Sequence, residues 1–188
     1  MARLISRMPV SVIDQIVASI LDAYRRRRSV FAYGNGGSAA LASHCACDLG
    51  KGTAVPDQQR LRFMALTDNV PLITAWANDS AYQDIFVEQL RNFLQPGDIS
   101  FAISCSGNSP NVLKALQYSR QVGATTIGIA GFRGGEMKDL CDVCLIVPSD
   151  NMQLIEDMHL AIAHAVFTAV RHRIREASVS GIAAVASF

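Results

Sequence analysis

The feature that most constrains this chain is the segment 99–112, which reads ISFAISCSGNSPNV. Its apolar start is typical of a buried strand, and its middle is a turn of serine, glycine and asparagine. Pro110 then opens a helical pattern, at a position where the missing N–H of proline removes no helical hydrogen bond. A strand that leads through such a turn into a helix offers hydroxyls and free N–H groups to an anion. The segment therefore indicates either a phosphate-binding cup or a polar turn with a serine N-cap.

A second turn of the same kind occupies residues 34–38, Gly-Asn-Gly-Gly-Ser, after a short strand pattern. Its spacing, Gly34-x-Gly36-x-x-Ala39, matches part of a dinucleotide-binding fingerprint. The acidic residue expected after the next strand would be Asp68, which lies too far along the chain for that role. The turn at 104–109 also lacks the Gly-Lys-Ser/Thr of a nucleotide P-loop, and its serines favour a monophosphate.

Five short apolar strand patterns alternate with helical patterns along the chain. Such alternation predicts a mostly parallel sheet with helices on both faces. The expected fold class is α/β, a three-layer sandwich with a five-stranded sheet, formed by residues 1–188 as one domain. The strands are predicted at 29–33, 61–66, 99–103, 125–130 and 143–147, and the helices at 10–24, 39–49, 68–76, 82–94, 112–122, 136–140 and 151–175.

The two ends of the chain carry separate expectations. The helix at 10–25 precedes the first strand, so it is expected to contact a neighbouring subunit of an oligomer and to pack there instead of on the sheet. Residues 177–188 are small and apolar without a clear period, and the pattern assigns them no structure. In parallel sheets, ligands bind outside the carboxyl ends of the strands, where both Gly/Ser turns fall.

Composition narrows the classes of function. Half of the residues are apolar and the formal net charge is +1, which predicts a compact soluble protein and argues against a nucleic-acid binder that works through bulk charge. The four arginines at 25–28 are interpreted as a solvated helix end. No apolar stretch is long enough to span a bilayer, and the first nine residues lack the apolar core of a signal peptide. Five cysteines, an odd number, indicate reduced thiols and a cytoplasmic protein.

Two helices carry side chains that suit a metal ion. His44 and Asp48 are four residues apart on the helix after the first turn, and therefore share a face. The last helix carries Glu156, His159 and His164. Two histidines and two carboxylates are ligands that zinc or a similar divalent ion accepts, although pairs at this spacing are also common as solvated side chains.

The cysteines give a weaker signal. Cys141 and Cys144 have the spacing of a redox motif or of half a zinc site, but no second pair of suitable spacing exists. They are therefore interpreted as small buried hydrophobic residues. Cys45 and Cys47 point to different faces of one helix and are interpreted as packing residues.

The ordered combination of these motifs resembles the sugar isomerase (SIS) family, and within it the phosphoheptose isomerases. The resemblance extends over residues 11–175 and rests on the turns at 34–38 and 104–109, His44, Gly134-Gly135, residues 147–149 and the last helix. Those enzymes interconvert sedoheptulose 7-phosphate and a D-glycero-heptose 7-phosphate. The resemblance implies a SIS domain, a homotetramer with active sites between subunits, and zinc or another divalent metal, one per subunit.

The family binds its metal through a His and a Glu of the first helix and a Gln and a His of the last. The histidines match His44 and His164, whereas Asp48 replaces the Glu and Glu156 replaces the Gln. Asp48 reaches one methylene less far, and Glu156 adds a negative charge that should tighten metal binding and lower the Lewis acidity of the metal. The family's arginine just beyond its catalytic Glu has no match in register, and Lys51 is the nearest cation.

The resemblance implies an aldose–ketose isomerase that converts sedoheptulose 7-phosphate to D-glycero-D-manno-heptose 7-phosphate through an enediol. Asp48 and His164 are the expected pair that moves the proton, and Asp79 is expected either to hold a sugar hydroxyl or to cap a loop. The expected metal ligands are His44, Asp48, Glu156 and His164. The residues expected to bind the sugar phosphate are Asn35, Gly36, Ser38, Asp79, Ser104, Cys105, Ser106, Asn108 and Ser109.

A different class of function stays open. SIS proteins resembling the replication-initiation regulator that binds the initiator protein DnaA keep the phosphate cup and the tetramer but lack the catalytic residues. Retention of His44 and His164 favours an enzyme. The replacements at Asp48 and Glu156 leave room for a non-catalytic sugar-phosphate-binding protein, or for an isomerase or sensor of another sugar.

Overall fold

The computed structural model describes residues 2–185 of the chain, with side chains described for residues 4–178. Five strands form one sheet, in which every neighbouring pair is parallel. In chain order they are β1 Ser29–Gly34, β2 Arg62–Ala65, β3 Ile99–Ser104, β4 Thr125–Ala130 and β5 Val143–Ile146. Across the sheet the order is β2-β1-β3-β4-β5, which confirms the predicted fold class.

Helices cover both faces of this sheet. One face packs against α2, α3 and α8, and the other against α4, α5, α6 and α7, so the domain has three layers. The described helices are α1 Ala2–Ile5, α2 Val10–Arg25, α3 Gly37–Lys51, α4 Val70–Asp79, α5 Val87–Phe93, α6 Pro110–Val122, α7 Met137–Leu140 and α8 Met152–Val185.

Strand β3 shows why the sheet is buried on both sides. Its six residues are all buried, and successive side chains point to opposite faces. Phe101 and Ile103 pack in the apolar cluster beneath α2, α3 and α8, whereas Ala102 packs in the cluster on the other face. A strand that is buried on both faces has a nearly continuous run of apolar residues in its sequence, and residues 99–103 show this pattern.

The N-terminal helix α2 packs within its own chain. Ile16, Val17 and Ile20 are fully buried, and α2 contacts α8, β5 and β1. The expectation that this helix packs on a neighbouring subunit instead of the sheet is therefore wrong for its inner face. Contact between its outer face and a second subunit stays a prediction.

The segment between β2 and β3 differs from its predicted outline. The helix expected at 68–76 is α4, which begins after Asn69, whose side chain accepts a hydrogen bond from the Leu72 N–H at 3.2 Å. It continues to Asp79, three residues beyond its predicted end at 76. The single helix expected at 82–94 is a 3-10 turn, Tyr82–Asp84, followed by the short α5.

The last helix begins as expected, since the Asn151 side chain accepts a hydrogen bond from the Leu154 N–H at 3.1 Å. It continues to Val185, ten residues beyond its predicted end at 175. The backbone of most of the C-terminal segment 177–188 is therefore helical, and residues 186–188 lie outside the described part of the chain. At the end of α6, Gly123 adopts the left-handed conformation expected of a helix-terminating glycine, with φ of 82°.

The five cysteines are free thiols, as the sequence indicates. Cys45 is buried, but Cys47 is exposed, so the interpretation of Cys47 as a packing residue is wrong. Cys141 and Cys144 are partly buried against the apolar cluster of α5, α6 and α7 and are not fully enclosed. Their side chains meet above Gly128, where a larger residue would overlap the Cys141 sulfur.

Candidate active site

The serine loop, residues 104–109, connects the end of β3 to the start of α6. The Gly107 N–H donates to the Ser104 hydroxyl at 3.2 Å, and the Ser104 and Ser109 hydroxyls lie 3.5 Å apart. Ser104 and Cys105 are buried, whereas Ser106 and Asn108 are exposed. Ser109 is the N-cap of α6, and Pro110 begins that helix as expected. Hydroxyls and the positive end of a helix therefore lie together at this edge.

Three glycines fix the shape of the serine loop. Gly107, Gly134 and Gly135 all have positive φ, between 55° and 85°. A side chain on Gly107 would overlap the carbonyl group of Gly134, and one on Gly135 would lie 2.5 Å from the carbonyl oxygens of Ser106 and Gly107. The turn after β4 therefore packs directly against the backbone of the serine loop, which only glycine permits at these positions.

The glycine loop, residues 34–38, follows β1, the neighbour of β3 in the sheet. Gly34 is paired with Ile103, so the two loops leave the sheet side by side. Gly36 has a φ of 54° and precedes the first turn of α3, and Ser38 is buried within that turn. The sequence prediction that both turns meet at one edge is thus confirmed.

Two asparagines expected to bind substrate have other partners in the structure. The Asn35 carboxamide pairs with that of Asn111, Nδ2 to Oδ1 at 2.9 Å in one direction and 2.8 Å in the other. The Asn108 side-chain oxygen accepts a hydrogen bond from the Glu136 N–H at 2.9 Å. These contacts hold the two loops in place, and sequence reasoning missed Asn111 because no local pattern marks its partner.

Two adjoining cavities lie at this edge. The loop cavity, about 310 Å³, is enclosed by the serine loop, the glycine loop and the start of α8. The helix cavity, about 390 Å³, lies between α3 and α8 and reaches His44. Gly37, Ser38 and Glu156 line both cavities, so a single elongated ligand could occupy the two. No lysine or arginine among the side chains described for residues 4–178 lines either cavity.

Cys105, expected to contact substrate, lines the loop cavity as a protonated thiol. Burial raises the pKa of the Cys105 thiol, a hydrogen bond with Ser38 lowers it, and the carboxylate of Glu156 raises it further. The net shift is upward, so Cys105 does not supply an anionic nucleophile here.

The acid–imidazole cluster consists of His44, Asp48 and His164. His44 Nε2 lies 2.9 Å from His164 Nε2 and 3.2 Å from Asp48 Oδ2, and His164 Nε2 lies 3.9 Å from the same oxygen. The side chains are partly exposed, at 43% for His44, 26% for Asp48 and 51% for His164. His44 and His164, separated by 120 positions in sequence, thus converge, as the resemblance to the phosphoheptose isomerases implies.

This cluster has the geometry of a metal site. One ligand atom from each of the three residues lies within 4.8 Å of the other two. Tetrahedral ligands about 2.1 Å from an ion are about 3.4 Å apart, which falls inside the range of distances in the cluster. Two imidazoles and a carboxylate also match the ligand types that zinc accepts.

Glu156 lies apart from this group of three. Its carboxylate packs over Gly37, with Oε1 2.6 Å from the place that a β-carbon of residue 37 would take. It therefore lies between the two cavities, and a metal role for Glu156 requires its carboxylate to turn toward His44.

Asp79 and His159 complete the placement of the polar residues singled out in the sequence. Asp79 is exposed at the end of α4, accepts a hydrogen bond from Asn78 Nδ2 at 2.8 Å, and lines neither cavity. His159 is 1% exposed and lines the helix cavity. Burial lowers the pKa of His159, partly offset by a contact with the Ala130 backbone, so its imidazole is neutral at pH 7.

Comparison with known proteins places this geometry in a family. The family model described as "SIS domain" matches residues 2–131. A phosphoheptose isomerase of Rhodospirillum rubrum is 44% identical over 131 residues, 70% of this chain and 69% of that protein. The chain belongs to the phosphoheptose isomerase family of SIS domain proteins.

Further relatives extend the match to the last helix. A phosphoheptose isomerase of Clostridium acetobutylicum is 38% identical over 157 residues, 84% of this chain and 80% of that protein. The solved structure of a phosphoheptose isomerase from Francisella tularensis superposes with a TM-score of 0.83 at 27% identity, covering 91% of this chain and 90% of that one. Among residues 2–185 of the present chain, none of the helices combines the length and the apolar composition of a membrane-spanning segment.

Proposed function

We propose that this protein is an aldose–ketose isomerase that converts sedoheptulose 7-phosphate to D-glycero-D-manno-heptose 7-phosphate. The observation that carries the proposal is the continuity of the site. A cup of hydroxyls at the N-terminus of α6 opens, past Gly37 and Glu156, into a cavity that reaches an imidazole of the acid–imidazole cluster. Membership of the phosphoheptose isomerase family supports the choice of substrate.

In this proposal the serine loop binds the phosphate. Ser104, Ser106 and Ser109 donate hydroxyl hydrogen bonds, and the N-terminus of α6 adds the positive end of the helix dipole. Since α6 has 13 residues, its dipole is that of a full helix. The glycine loop, with Gly36 and Ser38, lies beside the sugar chain, and the phosphate at one end holds the reacting carbons at the other.

Asp48 and His164 move the proton. The ketose loses a proton from C1 to the Asp48 carboxylate, while His164 protonates the oxygen on C2 and so forms the enediol. The Asp48 carboxyl proton exchanges with solvent, and transfer of a proton from this carboxyl to C2, with loss of the O1 proton to His164, produces the aldose. Asp48 Oδ2 and His164 Nε2 lie 3.9 Å apart, and this short distance supports the proposal that both groups act on the same pair of carbons. The buried, neutral His159 is not needed for either transfer.

We further propose that the cluster holds one zinc ion, or another divalent metal, per subunit. His44, Asp48 and His164 fit as ligands by type and spacing, and Glu156 would become the fourth by turning from Gly37. Such an ion would polarise the substrate carbonyl. Asp48 and His164 would then act on the protons either after leaving the metal or in a metal-poor state.

A homotetramer with active sites at subunit interfaces is part of the proposal. Two features support it. The apolar sequence of α4, VPLITAWAND, has no buried residue within this chain, and the rings of His44 and His164 are about half exposed. A contribution from Asp79 to a sugar hydroxyl would then be made across such an interface. Two further predictions belong to this proposal. Residues 1–188 form a single domain, and the protein is located in the cytoplasm.

A non-catalytic sugar-phosphate-binding protein is the second candidate. The observation that favours it is the position of Glu156, whose carboxylate lies outside the cluster of possible ligands and adds charge beside the phosphate cup. Such a protein would bind the sugar phosphate, or a protein partner such as an initiator of replication, without turnover.

One experiment separates the two candidates. The purified protein is analysed for bound metal and oligomeric state, then incubated with sedoheptulose 7-phosphate in D₂O, together with a panel of pentose and hexose phosphates. The isomerase converts the heptulose and incorporates deuterium at C2 of the aldose. Binding of sedoheptulose 7-phosphate with neither conversion nor deuterium exchange would contradict the isomerase and favour the binding protein.

A further inference from the structure

The feature that the proposed reaction leaves unexplained is the amide pair between Asn35 and Asn111. Asn35 belongs to the glycine loop, and Asn111 is the second residue of α6, directly after the serine loop. Each carboxamide donates one hydrogen bond to the other and accepts one, at 2.9 and 2.8 Å. The pair is therefore a direct link between the two loops that line the loop cavity.

The remaining hydrogen-bonding capacity of these amides is largely used as well. The Asn111 side-chain oxygen also accepts from the Val112 N–H at 3.0 Å, and the Asn35 oxygen accepts from the Tyr82 hydroxyl at 3.1 Å. Both carbonyl oxygens thus have two donors, which is their full capacity. Little of the Asn35 side chain is left to bind a sugar hydroxyl.

Burial makes the link hard to replace with water. Asn111 is 1% exposed and Asn35 is half-buried. Loss of Asn35 would leave the buried Asn111 carboxamide without the two hydrogen bonds of the pair, which is far less favourable than the same loss at the surface. The separation of the two loops is therefore set by the length of the amide pair.

We infer that Asn111 is a positioning residue, which acts through Asn35 to set the distance between the serine loop and the glycine loop. This inference rests on the proposed binding of a sugar phosphate across both loops. Asn111 lines neither cavity and need not touch the ligand. Its effect is confined to ligands long enough to contact both loops, because inorganic phosphate needs only the serine loop.

The test compares inorganic phosphate with sedoheptulose 7-phosphate in calorimetric titrations of the full chain and of the Asn111→Ala variant. We expect the affinity for inorganic phosphate to stay within about twofold, and the affinity for the sugar phosphate to fall about tenfold, the effect of one or two hydrogen bonds. KM should rise by a similar factor with a smaller change in kcat. Asn92→Ala, an exposed residue of α5, is the matched control and should leave both affinities unchanged.

The Asn35→Ala variant and the double variant complete the test. If Asn111 acts through Asn35, adding Asn111→Ala to Asn35→Ala lowers sugar-phosphate affinity no further. Equal weakening of both ligands by Asn111→Ala, or independent effects in the double variant, would overturn the inference. If Asn111→Ala does not fold, the Asn35→Ala variant takes its place, because Asn35 lies on a half-exposed loop. Its affinity for sedoheptulose 7-phosphate must then fall while its affinity for inorganic phosphate stays within about twofold of the parent's.

Failure of the proposed function gives a different result. A parent protein that binds sedoheptulose 7-phosphate without converting it refutes the isomerase but leaves the affinity comparison valid. A parent that binds inorganic phosphate and no sugar phosphate refutes both the proposed function and the positioning role.

Discussion

The serine loop and the acid–imidazole cluster border two adjoining cavities, but different kinds of structure build them. The serine loop is six consecutive residues, held by backbone contacts with Gly134 and Gly135 and by its own hydrogen bonds. The acid–imidazole cluster joins side chains from α3 and α8, and its members are partly exposed. The first is a rigid feature of one segment, and the second depends on how two helices pack.

This difference separates binding from chemistry in the proposed enzyme. Changes in the cluster should remove turnover and leave the fold and phosphate binding intact, because exposed polar side chains contribute little to stability. Changes in the glycines of the serine loop should affect stability and binding together. The following predictions test that separation, from the largest expected effect to the smallest.

Removal of either proton-transfer group should have the largest effect. Asp48→Asn and His164→Ala are each expected to lower kcat for the heptose phosphate by about 10³-fold, the contribution of a general acid or base. Inorganic phosphate should bind these variants with the affinity of the parent. Asp14→Asn on α2 and His172→Ala on α8, both exposed, serve as controls for the two changes. Folded Asp48 and His164 variants with parental activity would show that the cluster is not the catalytic group.

Substitution of Gly107 should instead damage the fold around the phosphate cup. Gly107→Ala combines a positive φ of 66° with overlap against the Gly134 carbonyl, and should lower the free energy of unfolding by about 3 kcal/mol. The matched change Gly36→Ala has a positive φ of 54° but nothing within 4 Å of the added carbon, and should lower it by about 1 kcal/mol. Urea unfolding measures both. Equal losses for the two variants would mean that contact with Gly134 does not fix the loop.

Single hydroxyls of the serine loop should have smaller effects, on binding alone. Ser106→Ala and Ser109→Ala are each expected to weaken binding of inorganic phosphate about ten- to a hundredfold, the loss of one hydrogen bond to a charged group. The kcat of each variant should change less than twofold. Ser11→Ala, an exposed serine of α2, is the control. Unchanged phosphate affinity in both variants would place the phosphate elsewhere.

His159 gives the smallest effect and a defined pH dependence. Its pKa is lowered in the folded state from 6.5, mainly by burial, so the unfolded chain binds a proton more readily. Stability therefore falls as the pH drops below about 6.5, and it is regained as the pH rises through that value. Thermal unfolding of the parent and of His159→Gln between pH 8 and pH 5 isolates this contribution, since the other histidines are common to both. A difference between the two proteins that does not vary with pH would contradict the assignment.

The sequence alone predicted the sheet and the strand–turn–helix form of the segment that contains the serine loop. The strand at 125–130 has the bounds expected, because the apolar run that marks a buried strand acts over a few residues. The serine loop was recognisable for the same reason. The segment 82–94 was less well predicted, since an amphipathic pattern does not show where a helix breaks into a 3-10 turn.

Only the tertiary structure decided which distant groups meet. The approach of His44 to His164, the pairing of Asn35 with Asn111 and the position of Glu156 over Gly37 all follow from how helices pack on the sheet. Sequence spacing places residues on a face of their own helix, but the rotation of α3 relative to α8 is set by the sum of their packing contacts. That sum is a property of the whole core, and no local pattern of residues records it.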